Sequence, residues 1–149
     1  MKKTFLYILA LFFMGVVSCA DDPDCITSTT DFVNIRFYEM ENRDVDTLAV
    51  NSVTVLGVDS VLLTDEEFRG TLRVPLNPLA DSAIISFNTE FGRDTLVLTY
   101  QTSTRLVSED CGIEILFSNV SYTRNDFDSI AIVNSTLIEE INEDIRIFN

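Results

Sequence analysis

The chain contains no histidine and no tryptophan, and its only lysines are Lys2 and Lys3. Histidine is the usual general base near neutral pH and the commonest metal ligand, while lysine supplies Schiff bases and point-charge contacts to phosphate. Beyond residue 3, chemistry is therefore left to carboxylates, arginine, hydroxyls and tyrosine. Positive charge is also scarce: ten Lys plus Arg stand against 24 Asp plus Glu, a net charge of −14. A chain this acidic repels nucleic acid and anionic lipid surfaces, so no nucleic-acid partner is expected. Cysteine occurs three times. Without histidine even these fall short of the four ligands of a tetrahedral zinc shell, and no cofactor or metal site is expected.

What the chain does have begins at its N-terminus. Lys2 and Lys3 precede an uncharged apolar run from Phe5 to Val17, followed by Val16-Val17-Ser18-Cys19. A basic patch, an apolar stretch and a small-residue junction, in that order, form a signal peptide. The apolar run is 13 residues long, short of the about 20 helical residues that span a hydrocarbon core. Val-Val-Ser-Cys resembles the lipobox of bacterial lipoproteins. That resemblance implies removal of residues 1–18 and acylation of Cys19, palmitate among the chains added. Two acyl chains already anchor a protein stably, and a third strengthens the hold.

Ala20-Asp21-Asp22-Pro23-Asp24 follows, with no side chain large enough to pack. Residues 19–30 read as a solvated acidic tether. Acidic residues just behind the lipid-bearing cysteine resemble the surface-export tether of Bacteroidota lipoproteins. The implied address is the outer membrane, facing either the periplasm or the exterior. With Cys19 lipidated, Cys25 and Cys111 remain as an even pair in an oxidising compartment, where a disulfide is the default. It would close a loop of roughly 85 residues and contribute on the order of 4 kcal/mol through the unfolded chain.

From Asp31 onward apolar residues recur at every second position in short runs broken by Asp, Asn, Gly and Pro, the pattern of strands. Val33, Ile35 and Phe37 alternate with Asn34 and Arg36 in the first run, Asp31 to Met40; Val53 and Val55 mark the second, Thr47 to Leu56. Further runs are Ser60 to Leu63, Thr71 to Leu76, Ser82 to Asn88, Asp94 to Thr102, Cys111 to Tyr122, Ser129 to Val133 and Ile145 to Phe148. Thr64 to Glu67 reads as a polar link. Pro75 cannot donate to a ladder, which places its strand at an edge or ends it there. Glu90-Phe91-Gly92-Arg93 reads as a hairpin, with Leu96, Leu98 and Tyr100 facing inward beyond it. Ile113, Ile115 and Phe117 share one side of the later run. Ser135 to Ile141 fits one helical turn or a bent strand. Short, evenly spaced strands without helices predict an all-β fold over residues 31–149: a two-sheet antiparallel β-sandwich, immunoglobulin-like or transthyretin-like.

Leu72-Arg73-Val74-Pro75-Leu76-Asn77, Asp94-Thr95-Leu96 to Tyr100, and Ser108 with Cys111-Gly112 resemble a family of small Bacteroidota outer-membrane lipoproteins with no assigned activity. The resemblance covers most of the chain beyond the leader. It implies a location and a class rather than a mechanism.

Asp followed by Ser or Thr and an aliphatic residue recurs five times, around Thr47, Ser60, Ser82, Thr95 and Ser129. The tripeptide resembles the O-glycosylation sequon of Bacteroidota envelope proteins. A sandwich would also generate it unaided, because Asp caps turns and β-branched or aliphatic residues open strands. Neighbouring acids, Glu66-Glu67 and Glu139-Glu140, point to opposite faces of a strand, and Asp126 with Asp128 lacks the alternation of a calcium loop. No catalytic residue is expected. Phe32, Tyr38, Phe68, Phe91 and Phe127 sit near run ends; the ordinary reading is core plugs, the sharper one a carbohydrate or peptide platform with Arg36 or Arg93. The sequence thus predicts a non-catalytic envelope module that binds a protein partner, and alternatively one that captures carbohydrate or nutrient for an outer-membrane transporter.

Overall fold

The computed structural model describes residues 30–58, 61–68, 70–89, 92–139 and 141–149. The expected leader and most of the expected tether lie outside them. Nine strands follow one another: β1 (Phe32–Tyr38), β2 (Leu48–Val55), β3 (Val61–Phe68), β4 (Thr71–Pro75), β5 (Ser82–Asn88), β6 (Arg93–Ser108), β7 (Gly112–Asn125), β8 (Ser129–Ile132) and β9 (Ile145–Phe148). Among the described residues there is no helix. Period-two alternation accounts for the strands directly: Val33, Ile35 and Phe37 on β1, and Ala83, Ile85 and Phe87 on β5, are all buried, since successive side chains leave a strand on opposite faces.

Two sheets result. One has the order β4-β1-β9-β8 and the other β3-β2-β5-β6-β7. β4 is an edge strand, as Pro75 requires. The pairs are antiparallel with one exception: β9 lies parallel to β1, with Ile35 opposite Ile145 and Phe37 opposite Ile147. This departs from the all-antiparallel expectation, and the cause is topological. β8 and β9 pair antiparallel across a long link, and β9 then enters between β8 and β1 with its direction already fixed.

The inner faces meet in one core. Phe37 of the first sheet meets Phe87 of the second edge-on, at 5.8 Å between ring centroids, and Phe127 from the β7–β8 link closes the triangle at 6.2 Å and 5.2 Å. Edge-to-face rings at such spacings add about 0.5–1.5 kcal/mol per pair beyond burial. Leu96, Leu98 and Tyr100 face inward as the hairpin reading required. The stretch from Ser135 to Ile141 contributes without being helical. Leu137 is fully buried, its N–H donates to the Phe117 carbonyl at 3.0 Å, and Val120 N–H donates to the Ser135 carbonyl at 3.0 Å. The segment lies along the free edge of β7 and supplies a core side chain at the same time.

Three departures from the expected strand lengths share a cause. β3 runs through the supposed polar link, because Ala49, Val50 and Ser52 of β2 give Glu67, Glu66 and Thr64 a ladder partner. β6 and β7 are longer than the apolar pattern, pairing as far as Ser108 and Gly112. Every residue from Gln101 to Leu106 is exposed, so the ladder outlasts the core. Ile113 and Ile115 share the alternation of Phe117, yet they are 69% and 40% exposed while Phe117 is buried. Midway along this hairpin the register slips between Thr99 and Gln101. Asn119 takes the extra residue with φ of 53°, a left-handed conformation that asparagine tolerates better than most residues. Its side-chain amide donates to Gln101 Oε1 at 2.7 Å.

Leu137→Ala tests the packing of the strap. Although it lies outside every strand, the substitution is expected to cost about 2–5 kcal/mol, as a buried Leu→Ala does in a core. Urea unfolding measures it; a loss under about 0.5 kcal/mol, the size of an ordinary surface change, would contradict the packing described.

Candidate functional site

Alternation also determines which side chains the four-stranded sheet turns outward. β1 presents Phe32, Asn34, Arg36 and Tyr38; register places Arg73 of β4 opposite Asn34, Thr71 opposite Arg36, and Arg146 and Phe148 of β9 opposite Arg36 and Tyr38. Three of the chain's eight arginines therefore meet on one face of an acidic protein. The aromatic rings hold two of them: the Arg73 guanidinium lies 4.5 Å from the Phe32 ring centre and that of Arg146 lies 5.6 Å from Tyr38. Tyr38 in turn packs against Phe148 at 5.8 Å.

Glu143 ties down one end of this face. Its carboxylate accepts from Arg146 Nε at 2.5 Å and from the Tyr38 hydroxyl. Burial pushes the Tyr38 phenol above its ordinary value, and the bond to Glu143 adds to this. The same carboxylate holds Arg146 more firmly protonated. Arg36 and Arg73 have no carboxylate partner among the described residues, and Arg36 Nε is buried without a hydrogen-bond partner.

A cleft of about 230 Å³ opens beside Arg73, lined by Thr30, Asn34, Thr71, Glu139, Ile141 and Asn142 as well. Asn34 forms its floor. The side-chain amide of Asn34 donates to the Ile141 carbonyl at 2.9 Å, holding the far wall in place. Behind the floor sits Asp144, fully buried. Asp144 Oδ2 accepts from Asn34 N–H at 2.8 Å, and Asp144 N–H donates to the Asn34 carbonyl at 2.8 Å. Asp144 Oδ1 is buried without a hydrogen-bond partner. Burial raises the Asp144 carboxyl above its ordinary value, more than its hydrogen bonds lower it.

The sequence singled out Phe32, Tyr38 and Arg36 for a platform, and the structure brings these together. Arg93 belongs to the other sheet, where its Nε donates to Asn88 Oδ1 at 2.9 Å. Phe127 is a core plug. The side chain of Phe68, and Phe91 altogether, lie outside the described residues. Arg73, Arg146 and Phe148 were missed because they reach β1 only through the order β4-β1-β9, which no local pattern reveals.

Cys19, Cys25 and Ser60 lie outside the described residues. Cys111 stands at the β6–β7 turn, its N–H donating to Ser108 Oγ at 3.0 Å. Among the hydroxyls of the Asp-Ser/Thr repeat, Thr47 and Ser82 are exposed, whereas Thr95 and Ser129 are partly buried. Each stands at or near the start of a strand, and two of the aspartates act as turn caps would: Asp46 accepts from Thr47 N–H at 2.6 Å and Asp81 from Ser82 Oγ at 3.2 Å. Asp126 is occupied by a fork from Arg124, at 3.1 and 3.0 Å, which lowers its carboxyl below the usual range. Glu140 and the side chains of Glu66 and Glu67 lie outside the described residues.

Asp144 makes a pH prediction. A carboxyl whose folded value is raised contributes its full share of stability below the unfolded value, about 3.9, and loses it as pH rises through the folded value. Asp144→Asn keeps an oxygen acceptor for Asn34 without the charge. The variant should match the parent in acid and gain on it as pH rises above 4, read by urea unfolding across pH. A difference that is flat with pH would contradict a burial-dominated Asp144.

No curated protein and no solved structure matches the chain. A family model described as a family of unknown function, DUF6452, matches residues 47–149, from just ahead of β2 to the end of the chain. β1 precedes the matched segment, yet it is paired with β4 and β9 inside it. With more than half its length matched, the chain belongs to the family DUF6452.

Proposed function

We propose that this chain is a non-catalytic lipoprotein of the outer membrane that works by binding, with residues 1–18 as its leader, Cys19 as its lipid attachment and residues 19–30 as a tether. The single observation that carries the binding role is the outer face of the four-stranded sheet. There arginines from three strands meet, two of them held against aromatic rings, beside a polar cleft. Two of the carboxylates around it are committed elsewhere, Glu143 to Arg146 and Tyr38 and Asp144 to the backbone of Asn34, and Glu139 has no second carboxyl beside it among the described lining residues. General acid–base catalysis asks for a carboxyl free to reach a reacting proton, and Glu143 and Asp144 are not. The same face favours a second reading, in which the protein captures a carbohydrate or other nutrient and passes it to an outer-membrane transporter.

The address rests on the sequence: the lipobox-like junction and the acidic stretch after it. A disulfide from Cys25 to Cys111 belongs to the same reading, because lipidation of Cys19 leaves these two as an even pair in an oxidising compartment. Glycosylation, if the Asp-Ser/Thr repeat serves it, would fall on Thr47 and Ser82 first, because their hydroxyls are exposed.

Two measurements test this. Cys19→Ser is expected to move the protein from the membrane pellet to the soluble fraction; a variant that still sediments after a high-salt wash would refute lipid anchoring through Cys19. Reduction of the parent is expected to lower its melting temperature, by several degrees for about 2–4 kcal/mol. Cys111→Ser should show no further response to reductant.

A further inference from the structure

We infer that the cleft beside Arg73 is a binding site for a carboxylate-bearing sugar unit, of the uronic acid type, within a longer glycan. The inference rests on reading the chain as a binding module and names the ligand class.

Charge is the first argument. Arg36 and Arg146 stand directly opposite each other on adjacent strands, an arrangement of like charges that destabilises a sheet. Glu143 compensates Arg146 alone. Arg36 keeps a buried Nε without a hydrogen-bond partner, and Arg73 is exposed and carries no carboxylate partner among the described residues. Of the two, Arg73 lines the cleft, and an anion seated there supplies the acceptor that its guanidinium lacks. Phe32 holds the Arg73 guanidinium against its ring, so less side-chain freedom is lost on binding than for an unsupported arginine.

The rest of the cleft selects among anions. Glu139 lines it together with Arg73, Asn142, Thr71 and Asn34. A carboxylate on the rim repels a phosphate dianion or a multiply charged acidic peptide more than a ligand with a single charge, and it accepts readily from hydroxyl groups. A ligand that presents one carboxylate to Arg73 and hydroxyls to Glu139 and Asn142 satisfies both ends. A uronic acid ring has that composition. The volume of about 230 Å³ lies under the roughly 300 Å³ at which clefts for drug-sized ligands begin, which suits one ring with its neighbours running out over the open sheet. The wall opposite is held by Asn34 and Ile141, so the cleft is formed before any ligand arrives.

The test is calorimetric titration of the detergent-solubilised full chain with trigalacturonate, its methyl ester, inorganic phosphate and an oligo-aspartate. Trigalacturonate is expected to bind, and the methyl ester, having lost the charge, is not. Arg73→Gln should weaken binding about ten-fold or more, the worth of a hydrogen bond to a charged group, while Arg93→Gln on the other sheet leaves it unchanged. Because Arg73 is exposed, its variant is expected to keep the parent's melting temperature, and that unchanged value accompanies a valid result. Equal binding of the methyl ester, binding of phosphate or oligo-aspartate in place of the sugar, or no binding at all would overturn the inference. Failure of the broader reading looks different: new reducing ends appearing during the titration would show catalysis, and that outcome leaves the location of the site intact.

Discussion

The structure depends on one buried carboxyl. β9 has four residues and must enter the middle of a sheet, parallel to β1 on one side and antiparallel to β8 on the other. A short central strand has no turn to set its register against a parallel neighbour, since parallel strands are joined only through long crossovers. Asp144 supplies what the turn cannot. Its side chain and backbone clasp Asn34 from both directions, and its carbonyl accepts from Val133 N–H at 2.8 Å and Asn134 N–H at 3.2 Å. Both neighbours of β9 are thereby aligned on a single residue. Once Ile145 and Ile147 are placed, they close the core against Ile35 and Phe37. The cost is a carboxyl held out of water, and burial raises it above its ordinary value.

The candidate site is built on the other side of the same clasp. Asn34 uses its backbone for Asp144 and its side chain for the Ile141 carbonyl. The loop that walls the cleft is therefore fixed to the strand that floors it. The cleft and the fold are coupled here through one asparagine, and Arg146 stands opposite Arg36 in the β1–β9 register that Asp144 adjoins.

How much of this the sequence shows depends on the range of the interaction. Alternation within a strand is local, so the buried set on β1, β5 and the first half of β6 could be read from Val33, Ile35, Phe37, Ile85, Phe87, Leu96 and Leu98. The same alternation misled at Ile113 and Ile115, because a strand keeps its pattern after the opposing sheet has ended. Leu137 escaped notice for the opposite reason: a residue in an irregular strap has no period to betray it. The parallel partner of β1 lies more than a hundred residues away, and the arginine face depends on that pairing. Arg36, Phe32 and Tyr38 were therefore visible as candidates, while Arg73, Arg146 and Phe148 required the sheet order to be known.

β1 is the strand nearest the N-terminal end of the described chain, and it lies inside its sheet, laddered to β4 over five residue pairs and to β9 over four. Tension arriving through the segment before Thr30 would pull β1 along its own axis. Both ladders would then resist together, in shear, with many hydrogen bonds strained at once. An edge strand pulled sideways would instead open bond by bond. β1 is held like a cable clamped on both sides, so a pull on it from the N-terminal side is shared by two neighbours.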